Sequence, residues 1–155
     1  MRARDLAEPY PSIAEGDQAL AAARLLAEQR LPAVLVLDPY GMPRAILPAS
    51  QLVRFLVPGY VLEDPALAAV IDEPHADRLC QALTGRTVAD VLPKNAGPPA
   101  IADAEDTAVE VAALMASSRS PLVAVVEHGA DPTGGDRLLG VVSASRLLER
   151  LLGVV

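Results

Sequence analysis

Residues 13–38 read IAEGDQALAAARLLAEQRLPAVLVLD, and residues 101–127 read IADAEDTAVEVAALMASSRSPLVAVVE. The second stretch repeats the first after one inserted residue. Asp17 falls on Asp106, Ala19 on Ala108, Leu25 on Leu114, Leu26 on Met115, Arg30 on Arg119 and Pro32 on Pro121, all at one offset. Val34 to Leu37 then falls on Val123 to Val126. A longer loop, His128 to Asp136, shifts the register, and beyond it Ile46 to Leu52 lies on Val141 to Leu147. Two segments rich in Ala, Leu and Val can match by chance. The shared order of elements makes duplication the better reading.

Each half carries the same plan. Asp17 and Asp106 stand just before helical periodicity, as side-chain acceptors for free backbone N–H groups. Thr107 with Glu110 offers a competing capping box one residue later. Ala22, Leu25, Leu26 and Gln29 follow helical spacing, as do Val111, Leu114, Met115 and Ser118, so each helix has a mainly apolar stripe. Pro32 and Pro121 close these helices, because proline cannot continue the hydrogen-bond ladder. The apolar runs 33–37 and 122–126 read as buried strands. Second strands are expected at about 44–47 and 137–142, and final amphipathic helices at about 49–56 and 144–152. Residues 57–86 join the halves, with Asp64-Pro65 and Glu73-Pro74 as helix starts. The expected boundaries are 1–56, 57–86 and 87–155. Alternating helices and strands predict an α/β (α+β) fold, two β-α-β-β-α repeats related by pseudo-twofold symmetry, with small sheets packed against helices.

Composition excludes several function classes. In 155 residues, 52% are hydrophobic and 21% charged, so a core is expected rather than disorder. No apolar run approaches the ~18 residues of a membrane helix. The N-terminus lacks the apolar stretch of a signal peptide, which predicts a cytoplasmic protein. One cysteine, Cys80, forbids an internal disulfide and cannot build a zinc site. A net charge of −7 opposes a nucleic-acid backbone binder. Aromatic residues at 3% are too few for a base-stacking platform.

The repeat resembles the tandem cystathionine β-synthase (CBS) domain, the Bateman module. In the first half the matching pieces are Asp5-Leu6, Pro11-Ser12-Ile13, Asp17 with its helix, Pro32 to Asp38, and Ala45 to Leu52. In the second they are Asp90-Val91, Pro99-Ala100-Ile101, Asp106 with its helix, Pro121 to Glu127, and Gly140 to Leu148. The resemblance implies an adenine nucleotide (AMP, ADP, ATP) or S-adenosylmethionine as regulatory ligand, bound in clefts between the repeats, and no resident cofactor. It implies that a hydroxyl and an acid in the last motif hold phosphate and ribose. An acid accepts from two vicinal hydroxyls, and a hydroxyl with a helix N-terminus donates to phosphate. This chain departs from that pattern. Arg146 replaces the acid of the second half; Ala45, Pro48 and Gln51 occupy the glycine, hydroxyl and acid positions of the first.

The candidate binding residues are therefore Ala100, Ile101, Pro121, Leu122, Gly140, Ser143 and Arg146 around the second repeat. A weaker first cleft has Ser12, Ile13, Pro32 and Gln51. Ser143 reads equally as a helix cap, and Arg146 as a surface residue near Glu149. Retaining Ser143 and losing the acid predicts preference for phosphate over ribose. An enzyme finds little support: His75 and His128 are the only imidazoles, and a Cys80–His75 pair is the sole nucleophile arrangement. Gly134-Gly135-Asp136 lacks phosphate-loop spacing. The acids at Glu127 to Asp131 and Asp103 to Asp106 read as a solvated loop and a helix cap, rather than a magnesium site. Val109, Ala112, Ala113 and Ala116 form a second apolar stripe and predict a homodimer. Two readings remain open. One is a stand-alone regulatory module that binds a nucleotide and signals to an unknown regulated enzyme or transporter. The other is a ligand-free dimerisation or interaction scaffold. Neither involves nucleic acid or membrane insertion.

Overall fold

The computed structural model describes residues 1–70, 78–95, 97–130 and 132–153. The helix start expected at Glu73-Pro74, and His75 with it, lie outside the described residues. Each half holds one three-stranded sheet. In the first, β1 (Ser12–Ala14) runs parallel to β2 (Ala33–Leu37), and β2 pairs antiparallel with β3 (Pro43–Pro48). In the second, β4 (Ile101–Asp103), β5 (Leu122–Glu127) and β6 (Arg137–Ser143) repeat this order and these directions. The likeness extends to irregularities. Register slips between Val36 and Leu37 in one sheet and between Val125 and Val126 in the other.

The central strands are buried on both faces, which is why they read as unbroken apolar runs. Successive side chains point to opposite sides. Val34 and Val36 face α2 (Ala19–Glu28) and α3 (Ala49–Leu56), packing with Ala22, Leu26 and Leu52. Ala33 and Leu35 face the other way, onto Leu122, Ala124 and Val141, so the two sheets meet back to back. In the second half, Val123 and Val125 pack with Val111 of α6 (Ala108–Ser118) and Leu147 of α7 (Ala144–Leu152).

The short segments ahead of each repeat are exchanged. Helix α1 (Ala3–Leu6) inserts Ala3 and Leu6 into the second core, whereas α5 (Val88–Val91) inserts Val88 and Val91 into the first. Equivalent bonds dock them. Ala3 N donates to Asp106 O at 2.7 Å and Val88 N to Asp17 O at 2.8 Å. Each half of the sequence thus completes the core of the other.

Two local expectations are corrected. Asp17 and Asp106 are not the helix caps: their carboxylates reach back to Ala14 N (3.1 Å) and Asp103 N (2.9 Å) and close the turn after the first strand. The second long helix is capped instead by the Thr107–Glu110 box, and Gln18 caps the first without a side-chain bond. Between the halves, Asp64-Pro65 does open a helix, a 3-10 helix over Pro65–Val70, with Asp64 accepting from Ala66 N. It is preceded by α4 (Gly59–Glu63), which no sequence signal marked. No helix among the described residues is long and apolar enough to cross a membrane.

Candidate functional site

Back-to-back sheets leave two concavities where the first strand of one repeat meets the last strand of the other. Cleft one, about 230 Å³, is walled by Ala45, Ile46 and Pro48 on one side and by Ala100, Arg119 and Pro121 on the other. Cleft two, about 210 Å³, is walled by Tyr10, Ser12 and Leu35 against Leu138, Gly140 and Val141. The walls correspond: Ala45 and Ile46 match Gly140 and Val141, and Ala100 matches Ser12. Each cleft is built crosswise, from both repeats.

This arrangement splits the residues that sequence reading grouped by repeat. Ala100 and Pro121 line cleft one, whereas Gly140 lines cleft two with Ser12. Leu122 is wholly buried between the sheets, and Ile13 is buried in the first core. Ile101 is 41% exposed. Pro32 and Pro121 act through their carbonyls, which accept from Ala49 N (2.9 Å) and Ala144 N (3.0 Å) at the starts of α3 and α7.

The last motif of each repeat is committed to the fold. Ser143 Oγ accepts from Arg146 N at 3.2 Å as the cap of α7 and lies 3.2 Å from Ser145 Oγ. Pro48 stands at the same place in α3 and makes no side-chain cap bond. Gln51 Nε2 donates to Val91 O at 3.2 Å and so holds the exchanged α5. Arg146 Nη1 lies 3.4 Å from Glu8 Oε1, on the segment that follows α1. Gly140 is required by close approach: a Cβ there would stand 2.5 Å from the Glu8 carbonyl oxygen.

Arg119 is the residue that sequence reasoning passed over. It ends α6 in the left-handed conformation (φ 52°), as Arg30 does after α2. It is exposed and lines cleft one, and its guanidinium has no ion-pair partner among the described residues. The available signal was its alignment with Arg30, two residues before the matching prolines.

Titration behaviour follows local bonds. Burial raises the Tyr10 phenol, whose OH donates to Ala33 O at 2.7 Å beside cleft two. His128 stands between Asp136 (Nδ1, 3.1 Å) and Asp103 (Nε2, 3.2 Å), and its pKa is raised, chiefly by the bond to Asp136. The Asp90 and Glu110 carboxyls are lowered by hydrogen bonds from Thr87 and Thr107 in their capping boxes. Glu105 and Glu127 pair with Arg4, and Glu127 also with Arg137; no group of three or more potential ligands among the described residues is arranged to hold a metal ion.

Comparison with known proteins bears on the family and the fold. The family model of the CBS domain matches residues 88–153. The chain is similar, at 43% identity and TM-score 0.83, to the crystal structure of a CBS domain-containing protein of unknown function from Kribbella flavida; the match covers 98% of this chain and 99% of that one. At 13% identity it shares the fold of CBSX2 in complex with AMP (TM-score 0.65, 99% and 97% covered). At 18% it shares the fold of the CBS domain of a bacterial CNNM/CorC family Mg2+ transporter in complex with ATP (TM-score 0.65, 100% and 89% covered). No curated protein matches the chain.

Proposed function

The chain belongs to the family of CBS-domain proteins, and from that premise we propose that it is a regulatory module taking an adenine nucleotide in cleft one. The observation that carries this reading is the preformed apolar slot lined by an arginine without an ion-pair partner among the described residues. Ala45, Ile46, Ala100 and the prolines suit a flat heteroaromatic base, and Arg119 suits the phosphate as a planar, always-charged fork. AMP and ATP are bound by structural neighbours of the same fold, which supports the ligand class. The regulated partner, an enzyme or a transporter, senses occupancy through association, and the chain itself performs no catalytic step in the cytoplasm.

Calorimetry with AMP, ADP, ATP and S-adenosylmethionine tests the ligand. Arg119→Gln should weaken a bound nucleotide about tenfold, the value of one charge-assisted hydrogen bond at a partly exposed site. Full affinity in that variant would move the phosphate elsewhere. A second reading, the ligand-free scaffold, is favoured by one specific observation: Ser143, Gln51 and Arg146 all hold the fold. In either case we propose a homodimer. Val109, Val53, Leu148 and Leu152 are exposed on the helices, and a closed twofold contact would cover them. Light scattering at a clean 16.2 kDa would refute the dimer.

A further inference from the structure

Arg146 is under-satisfied in a way that no other described cation is. Its side chain is only 20% exposed, yet its ion-pair contacts are long: Nη1 lies 3.4 Å from Glu8 Oε1 and 3.9 Å from Glu149 Oε2. Its Nε is buried without a hydrogen-bond partner among the described residues. A guanidinium gains most from two parallel bonds to one oxyanion, and here one arm of that fork is idle. A buried donor left unmade is costly, so the group favours whatever completes it.

Glu8 is delivered to Arg146 by the backbone. Its N–H donates to Val141 O at 3.0 Å, and its carbonyl accepts from Val141 N at 2.9 Å. Gly140 leaves room for that approach. The next residues, Pro9 and Tyr10, then wall cleft two together with Gly140 and Val141. The strap that shapes the cleft therefore also supplies the carboxylate that faces Arg146. At the matching place in the first half, Gln51 holds a backbone carbonyl, a neutral bond that no anion competes for.

We propose that Glu8 is a tethered plug on Arg146, displaced when the phosphate group of a ligand takes the guanidinium, and that displacement loosens residues 1–9 from β6. The inference concerns Arg146 and Glu8, neither of which lines the nucleotide site read above, and needs only a phosphate group, so the two can fail separately. The test is an NMR titration of the full chain with inorganic phosphate, followed at the Arg146 Nε–H and the Val141 amide. Glu8→Gln should bind phosphate about three- to fivefold tighter than the parent, the range of a half-exposed ion pair. In the parent, the Val141 amide should exchange faster as phosphate is added. Arg146→Gln should abolish the response at Val141. If that variant does not fold, Arg146→Lys keeps the charge without the fork and should weaken binding. Equal affinity in Glu8→Gln and the parent, a Val141 response that survives Arg146→Gln, or no phosphate-dependent shift of the Arg146 Nε–H in Glu8→Gln would each overturn the plug.

Discussion

Cleft one and cleft two are set on matching backbone, and Ala45, Pro48 and Gln51 in one half stand where Gly140, Ser143 and Arg146 stand in the other. In the second half, the glycine admits the Glu8 carbonyl, the serine caps its helix, and the arginine faces the Glu8 carboxylate at 3.4 Å. Cleft one has lost the hydroxyl and the glycine, and its open cation, Arg119, comes from the end of a helix instead. A duplicated fold preserves its strand pairing because register decides which side chains are buried. The polar positions around the clefts are free to exchange roles, and here the better-kept motif is the one consumed by structure.

The comparison can be broken first at the exchanged segments. Leu6→Ala and Val91→Ala both empty sites that are almost fully buried, each in the core of the opposite repeat. Urea unfolding should show losses of about 3 and 2 kcal/mol respectively. Losses below ~1 kcal/mol for both would mean that the exchange contributes little. Next comes the glycine. Gly140→Ala forces a Cβ into the Glu8 backbone and should cost about 2 kcal/mol, whereas Ala45→Gly should cost only about 1 kcal/mol through chain entropy. Equal costs would remove the claimed difference between the two last strands.

Capping gives a smaller contrast. Thr107→Ala removes a box that is present in α6 and should cost about 1 kcal/mol, while Gln18→Thr should stabilise α2 by roughly half that, because no side chain bonds there now. The smallest effect is on pH. The His128 pKa is raised above its ordinary 6.5 by Asp136 and Asp103. Its contribution is therefore fully present below that ordinary value and fades as pH rises through the raised one. NMR titration should place His128 above 6.5, and His128→Gln should lose a small decline in Tm over that window. The first half has a proline-flanked turn there and no such histidine.

Much of this fold was legible because its signals are local. Helices over 49–56 and 144–152 and both central strands follow from periodicity and proline placement, and the repeat gave each element a second witness. The cap assignment failed because Asp17 and Asp106 sit one residue too early: their carboxylates reach the preceding turn, while Thr107 has Glu110 at the correct spacing. The exchange of α1 and α5 was not legible, since Leu6 and Val91 read as apolar without revealing which core receives them. The same applies to the clefts. Grouping Ala100 with Ser143 follows chain order, but back-to-back packing through Leu35, Leu122 and Val141 puts Ala100 opposite Ala45. Arg119 escaped notice because a lone exposed arginine looks ordinary until the fold sets it along a cavity.

The most direct test maps AMP onto the full chain by backbone amide shifts, in the parent and in Arg119→Gln. The account predicts perturbations centred on Ala45, Ala100 and Arg119 at low AMP, weakened about tenfold in the variant. Shifts centred on Ser143 and Arg146 with undiminished affinity in Arg119→Gln, or no shifts at all, would contradict it.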